Sequence, residues 1–280
     1  MLSVAVDAKG DLAAALGSHP VGFQPHVVER NISVIELHPE ESFQEYLRIY
    51  FKVPRFTRLT PLAKVFDFIA TGVPGPRDML VVGKIAYEER RRDGNGRPMW
   101  DLIVVDSAAS GQALGHLTAP RAMLSLVRGG VIRSQVEWID RLLRDHARTT
   151  LTLCALPEEM PVVEAVELYG ELRRQAGIAV DVCFLNRVVT QSVSPAQRKL
   201  AEAMVAPEHC DAVQERLGGS PEPLLEAAAL IDRLHEAGTR HARALRAKLP
   251  IPVIPLALTT TRSGLATSRT IADAVSEALA

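Results

Sequence analysis

Short runs of valine, isoleucine and leucine recur along this chain of 280 residues, and segments of helical periodicity separate them. Runs of this length and composition are typical of strands that are buried on both faces of a sheet. They are Leu2–Val6, Ile32–Leu37, Leu102–Val105, Leu151–Ala155, Val180–Leu185 and Pro252–Leu256. The alternation predicts an α/β fold with a mostly parallel sheet flanked by helices.

Helical spacing of apolar residues indicates what lies between these runs. The predicted helices are Glu40–Phe51, Ile132–His146, Val162–Gln175 and Ala266–Leu279. Two further stretches, about residues 57–97 and 190–249, have the pattern of helices in series without an intervening strand. We interpret both as helical insertions in a single domain that covers residues 1–280. In the second insertion we predict breaks at Gly218–Pro223 and at Gly238.

The second insertion also carries a stripe of apolar residues at helical spacing. Its members are Leu224, Leu225, Ala228, Ile231, Leu234 and Ala237. A stripe of this kind is more often packed core than a groove for a partner. We therefore predict that its residues are buried.

Charge and cysteine content limit the class of protein. The chain has 32 Lys and Arg residues against 33 Asp and Glu residues, a balance that argues against a nucleic-acid partner. Its apolar runs are too short to span a membrane, and Asp7 interrupts the first run too early for a secretory signal. The cysteines Cys154, Cys183 and Cys210 are widely spaced, which favours a reducing cytoplasm over a disulfide framework. Cys154 and Cys183 fall on predicted strands, where we expect buried thiols.

Two of the apolar runs end in an aspartate. Asp7 follows the first run, and Asp106 follows Leu102–Val105. Ligands of open parallel sheets bind at the carboxyl ends of strands. A strand that ends in Asp is also typical of a Walker B motif, whose carboxylate holds Mg²⁺ through water beside a nucleotide phosphate. The alternative is that both aspartates only cap the helices that follow them.

The segment that begins at Asp106 is DSAASGQALG. It resembles the switch II segment, DTAPTGHTLR, of the ArsA-type arsenical-pump ATPases and of the eukaryotic ATPase that targets tail-anchored membrane proteins. Ala109 and Gln112 depart from that pattern, where the family has Pro and His. By this resemblance Asp106 holds magnesium through water, and Ser110 and Gly111 belong to the nucleotide site. A glycine at this position lets the backbone approach the γ-phosphate.

The N-terminal segment Val6–Gly17 is similar to the family's switch I segment, TDPAHNLSDAFG after a strand. The resemblance makes Asp7 the catalytic carboxylate that positions or activates the attacking water. Ala8-Lys9-Gly10 stands where the family has Pro-Ala-His. The Leu12, Leu16 and Gly17 positions keep the family's spacing.

Two later segments look like the family's adenine site. Val182–Arg187 resembles its VNR strand end, in which the Asn amide reads the adenine edge. Ile254–Leu256, followed by Thr259 and Arg262, resembles its PLL segment, whose backbone lines the adenine pocket. Taken alone, a strand-end Asn is more often a turn residue. The cofactor-binding residues predicted here are Asn186, Arg187, Pro255 and Leu256.

The family's phosphate-binding loop, GKGGVGKT, has no counterpart in these residues, which contain no GxxxxGK[ST] pattern. In the family that loop precedes the switch I strand by one helix, so by this comparison the chain begins inside the second strand. The absent unit includes a central strand next to the Walker B strand. We therefore expect open apolar strand edges and impaired binding of ATP and Mg²⁺ in the chain as given.

Three explanations of the absent loop stay open. We favour a start residue assigned too late, because natural chains seldom delete a central strand and keep the other ligand-binding strand ends. The second is a degenerate paralogue that acts as the non-catalytic partner of a complete P-loop-bearing ATPase. The third is a fragment without function.

The resemblance implies an ATPase whose hydrolysis requires Mg²⁺ and is coupled to a client or a membrane-protein partner. It also implies a homodimer, or a heterodimer with a paralogous ATPase, in the cytoplasm or peripherally at the membrane. The chain lacks the CxxC zinc motif of the tail-anchor-targeting members, so their zinc is not expected. A dinucleotide enzyme is the least favoured alternative, because the chain has no GxGxxG pattern.

Overall fold

The computed structural model describes residues 1–6, 10–38, 41–42, 44–45, 76–259 and 264–279. The chain divides into two compact units. The first unit comprises Met1–Leu151, Leu168–Ala179 and Thr261–Thr270. The second comprises Thr152–Glu167, Val180–Thr260 and Ile271–Ala280. The assignment of residues 1–280 to one domain stays a prediction.

Strands and helices are interspersed through the first half of the chain. They are β1 (Leu2–Ala5), α1 (Asp11–Ala15), β2 (His26–Glu29), β3 (Ile32–Glu36), α2 (Pro76–Arg90), β4 (Ile103–Asp106), α3 (Ser110–Leu126) and α4 (Gly130–Arg144). The predicted helix Glu40–Phe51 lies mostly outside the described residues, and the first helical insertion is described only from residue 76.

The second half adds strands and longer helices. They are β5 (Leu151–Ala155), α5 (Glu159–Glu171) with a π-helical turn at Leu172–Ala176, β6 (Val180–Val188), α6 (Pro195–Val205), α7 (Pro207–Leu217), α8 (Glu222–Lys248), β7 (Val253–Ala257) and α9 (Leu265–Leu279). The described strands form two sheets, and the α/β class is confirmed.

The first sheet has the strand order β2-β3-β1-β4. β1 pairs in parallel with both β3 and β4, so that Val4 lies between Ile35 and Val105. Val4 and Ile35 are fully buried and belong to the core cluster beneath this sheet. β2 pairs antiparallel with β3 and was not predicted, because this short strand combines His and Glu with an exposed Val27.

The second sheet has the strand order β5-β6-β7. β6 and β7 run parallel, with Leu185 opposite Pro255. Leu185 is fully buried. All six predicted strands are present, and β5 has the predicted bounds.

Among the described strands, β4 and β5 each lie at one end of a sheet. Val104 and Val105 on β4 are 44% and 38% exposed. The prediction that these strands are buried on both faces is therefore wrong for β4, because an end strand lacks one neighbour. Cys154 on β5 is likewise exposed and not buried as predicted, whereas Cys183 on β6 is fully buried.

The second helical insertion contains α6, α7 and α8. The predicted break at Gly218–Pro223 is confirmed: Gly218 has a positive φ of 71° and ends α7. The break predicted at Gly238 is wrong, because α8 continues through it. A Cβ atom at Gly238 would lie 3.1 Å from Val188 Cγ1, so this glycine allows close packing of α8 on β6. The break at Pro207 was not predicted.

The apolar stripe of α8 is largely open to solvent. Leu224, Ile231 and Leu234 are each about two-fifths exposed, so the prediction that they are buried is wrong. The physical reason is that α6 and α7 bury no residue of their own and form no core under the stripe. Within the described residues, no helix has the length and apolarity needed to cross a membrane.

A buried ionic cluster lies on α2 in the first unit. Lys84 Nζ contacts Glu45 at 2.7 Å and Glu88 at 2.8 Å. Glu88 also accepts hydrogen bonds from Arg91 at 2.8 Å and from the Trp100 indole N–H at 3.0 Å. Burial alone would raise the pKa of Glu88, but these bonds outweigh it and hold that pKa below the usual value. The cluster thereby ties α2 to the segment that leads into β4.

Candidate functional site

The carboxyl ends of β1 and β4 lie side by side. Ala5 pairs with Asp106 in the parallel register, and the Val6 N–H donates to the Asp106 carbonyl oxygen at 3.0 Å. Asp7, the predicted catalytic residue, lies outside the described residues. The structure therefore describes the residue just before Asp7 and places it against the backbone of Asp106.

The Asp106 carboxylate is exposed at this strand end. Partial desolvation and the nearby negative charge of Asp11, the first residue of α1, both raise its pKa. Sequence analysis did not predict a role for Asp11. The available signal was an acidic residue directly after Gly10, in the first turn of α1. Removing charge from this pair, or binding a cation beside it, would favour the ionised form of Asp106.

We tested whether this strand end fits a magnesium ion. A carboxylate open to solvent beside a second negative charge offers the oxygen ligands that Mg²⁺ prefers. No group of three or more His, Cys, Asp or Glu side chains that could hold a metal occurs in the described part of the chain. Asp106 therefore fits an ion that keeps most of its water, and it does not fit a complete protein cage.

Helix α3 begins four residues after Asp106, at Ser110. The amides of Gln112 and Ala113 donate to the Ala109 carbonyl oxygen at 2.9 Å. In an α-helix the amides before these have no intrahelical acceptor, which here means Ser110 and Gly111. A Cβ atom at Gly111 would meet nothing within 4 Å. Packing among the described residues therefore does not require a glycine at this position.

The predicted base-reading residues lie in a bulge of β6 and not at its end. The strand continues to Val188, and its register with β7 shifts between Leu185 and Val188. The Arg187 N–H donates to Asn186 Oδ1 at 2.9 Å, and Arg187 has a positive φ of 59°. The expected strand end at Asn186 is therefore wrong. The local hydrogen bond holds the Asn186 side chain against its own backbone.

The β7 residues of the predicted adenine site face this bulge. Pro255 pairs with Leu185, the residue that precedes Asn186. Pro255 is exposed and Leu256 is buried. A proline is tolerated within β7 because this strand is at the end of its sheet. Arg262 lies outside the described residues.

The predicted site residues thus form two groups. One group is Asp106, Ser110 and Gly111 at the junction of β4 and α3. The other group is Asn186, Arg187, Pro255 and Leu256 at the β6 bulge and β7. The two groups belong to different compact units.

Comparison with known proteins adds an independent finding. No protein-family model matches the chain. The protein named ATPase BagA from Mycobacterium tuberculosis is 28% identical over 247 residues, which cover 86% of this chain and 72% of that protein. The chain is similar to a mycobacterial ATPase. A Mycobacterium bovis protein that also carries an ATPase name gives the same values.

A further similarity covers a shorter stretch. Protein Rv2184c from Mycobacterium tuberculosis is 28% identical over 157 residues, 46% of this chain and 35% of its own length. The similarity to the proteins with ATPase names extends over most of the chain, and it supports an ATPase family.

Proposed function

We propose that this chain belongs to an ArsA-like ATPase, which binds ATP and hydrolyses it with Mg²⁺ to act on a client or a membrane partner. The carrying observation is the junction of β4 and α3. An exposed carboxylate at a strand end lies four residues before a helix N-terminus whose first amides, by helix geometry, have no intrahelical acceptor. The similarity to proteins named as ATPases supports the same chemistry.

Each site residue has a role in this proposal. Asp106 holds the water shell of the magnesium ion, and Ser110 and Gly111 present backbone N–H groups to the γ-phosphate, where the helix dipole favours an anion. Asp7 assists the attack of water. Asn186, Arg187, Pro255 and Leu256 bind adenine in this proposal.

The phosphate cradle needs a further contribution. The printed residues contain no GxxxxGK[ST] loop, so the amides and lysine that hold the β-phosphate must come from outside them. Either a preceding segment of the native chain or a partner subunit supplies that loop. In the family a homodimer or a heterodimer with a paralogue provides the partner, in the cytoplasm or peripherally at the membrane.

The test uses the native protein, purified from its source cells. Peptide mass spectrometry of its N-terminus shows whether a GKGGVGKT-like loop precedes Met1. ATP hydrolysis is then measured with and without Mg²⁺ for the native protein, for Asp7→Asn and for Asp106→Asn. We expect Asp7→Asn to lower kcat by about 10²–10⁴, as removal of a catalytic acid–base group does. We expect Asp106→Asn to raise the Mg²⁺ concentration that hydrolysis requires, because it removes the charge that holds the ion. Asp211→Asn, on α7, is the control.

Other outcomes have definite meanings. A native protein that carries the loop but shows no Mg²⁺-dependent hydrolysis contradicts the proposal, and so does an unchanged rate in Asp7→Asn. A chain that starts at Met1, hydrolyses no ATP alone and associates with a P-loop-bearing protein would be a non-catalytic partner subunit.

A further inference from the structure

Two cysteines lie side by side on neighbouring strands of the second sheet. The Leu151 N–H, at the start of β5, donates to the Ala179 carbonyl oxygen at 2.9 Å, just before β6 begins. In a parallel pair this bond places Leu151 beside Val180. Three residues further along both strands, Cys154 therefore lies beside Cys183.

The spacing of the pair suits a covalent link. Neighbouring strands are about 4.8 Å apart, and the Cα atoms of disulfide-bonded cysteines are usually about 4.4–6.8 Å apart. Residues in direct register also point to the same face of a sheet. Cys154 also raises the pKa of Cys183, which agrees with this placement of the two thiols.

The two thiols differ in their access to solvent. Cys154 is exposed, because β5 is at one end of the described sheet, whereas Cys183 is fully buried on the middle strand. Burial, followed by the effect of Cys154, raises the pKa of Cys183 to about 11. Cys183 therefore stays protonated at neutral pH and does not react with a dissolved oxidant. The exposed sulfur of Cys154 meets the oxidant first.

We propose that Cys154 and Cys183 form a redox-sensitive pair, which a peroxide converts to a disulfide between β5 and β6. The Cys154 thiolate attacks one peroxide oxygen, breaks the O–O bond and becomes a sulfenic acid, while the other oxygen leaves as water or an alcohol. The Cys183 sulfur then attacks the sulfenic sulfur. The S–S bond forms, hydroxide leaves, and the Cys183 proton converts it to water. One peroxide thus oxidises two thiols by two electrons.

The disulfide would tie the end strand β5 to β6 just before the Asn186 bulge. Because the second step needs the Cys183 proton to leave, it should become faster as pH rises from about 7 to about 9. Oxidation that stops at Cys154 is then more frequent at low pH.

The test treats the purified protein with hydrogen peroxide, blocks remaining thiols with iodoacetamide, and maps the peptides by mass spectrometry without reduction. We expect a peptide in which residue 154 is cross-linked to residue 183, lighter by two hydrogen atoms than its components. Dithiothreitol should release it. Cys154→Ser and Cys183→Ala should each abolish the cross-link, and Cys210→Ser, in α7, should leave it unchanged.

Two results would overturn the proposal. One is oxidation of Cys154 to sulfinic acid while Cys183 stays a buried thiol, which iodoacetamide alkylates only after the protein is unfolded. The other is a protein in which both residues are fully alkylated after peroxide treatment and unfolding. Circular dichroism of Cys183→Ala confirms that its loss of the cross-link is not a loss of fold, and Cys154→Ser provides the second test at an exposed position.

Discussion

The backbone N–H of Val6 donates to the carbonyl oxygen of Asp106 across 3.0 Å. This bond joins the last described residue before Asp7 to the residue that we assign to magnesium. The two carboxylates proposed for catalysis therefore follow strands that are hydrogen-bonded to each other. This link between the two strand ends is made by backbone atoms and does not depend on a side chain.

Substitution of Glu88 by Gln should destabilise the first unit. Glu88 is 1% exposed and accepts from Lys84, Arg91 and Trp100. We expect a loss of about 2 kcal/mol, less than the about 3–5 kcal/mol of a fully broken buried pair, because Glu45 still faces Lys84. Urea unfolding, followed by tryptophan fluorescence, measures the change. Glu226→Gln, at an exposed position of α8, should change stability by less than about 0.5 kcal/mol.

The same cluster has a pH signature. The folded-state pKa of Glu88 is lower than its usual value of 4.5. The stabilisation by its charge is therefore fully present above that usual value and is lost as pH falls through the folded-state pKa. The difference in unfolding free energy between the native protein and Glu88→Gln should therefore be smaller at about pH 3.5 than at about pH 7. A difference that stays constant with pH would show that the carboxylate charge contributes nothing.

His116 predicts a second pH dependence, at higher pH. It is buried on α3 with Nε2 3.2 Å from Asp78 Oδ1, and burial lowers its pKa below 6.5, with Arg77 adding to that effect and Asp78 opposing it. The unfolded state therefore binds a proton that the folded state does not, and stability falls as pH drops below about 6.5. His116→Gln should remove this slope in urea unfolding between about pH 7.5 and 5.5. His146→Gln, at an exposed position, should retain it.

Substitutions of Arg187 distinguish the effect of backbone strain in the β6 bulge from the effect of its side chain on stability. Its φ of 59° lies in the left-handed region, which costs a non-glycine residue about 1–2 kcal/mol. We expect Arg187→Gly to raise the unfolding free energy by about 0.5–1 kcal/mol, net of the greater chain entropy of glycine. Arg187→Ala keeps the strain and should give no gain. Equal stability of the two variants would exclude strain at this position.

Two helical glycines form a matched pair. At Gly83 in α2 an added Cβ meets nothing within 4 Å, whereas at Gly238 in α8 it meets Val188 Cγ1 at 3.1 Å. Gly83→Ala should therefore stabilise the protein by about 1 kcal/mol through helix propensity. Gly238→Ala should gain less than that, because the contact with β6 offsets it. A double-mutant cycle with Val188→Ala measures this offset. Gly238→Ala should stabilise the Val188→Ala variant more than it stabilises the native protein.

Sequence periodicity predicted the buried strands well, because β1, β3 and β6 are rich in Val, Ile and Leu and a single polar residue does not break their pattern. It missed β2, whose polar edge residues give no such signal. It also predicted a break at Gly238, because the contact with Val188 that requires a glycine there is a tertiary one. The exposure of Val104 and Cys154 depends on the position of β4 and β5 at the ends of their sheets. The strand order cannot be predicted from the residues of one strand.

The site was predicted by motif at the level of residue types and not of geometry. Asp106, Ser110 and Gly111 do share one junction of strand and helix. The bulge at Asn186 was missed, since nothing in the letters LNRV distinguishes a strand end from a strand that continues after an extra residue. The pairing of Asp11 with Asp106 also needed the fold, because the two residues lie far apart in the chain.

The length of α8 has a mechanical consequence. Its 27 residues extend for about 40 Å. Its buried residues, Gly238, Ala242 and Leu245, all lie in its second half. The close contact of Gly238 with Val188 of β6, beside the Asn186 bulge, is thus a point about which the helix can tilt. From the helix rise, Leu224 lies about 21 Å from Gly238, so a tilt of about 10° there would displace Leu224 by about 4 Å.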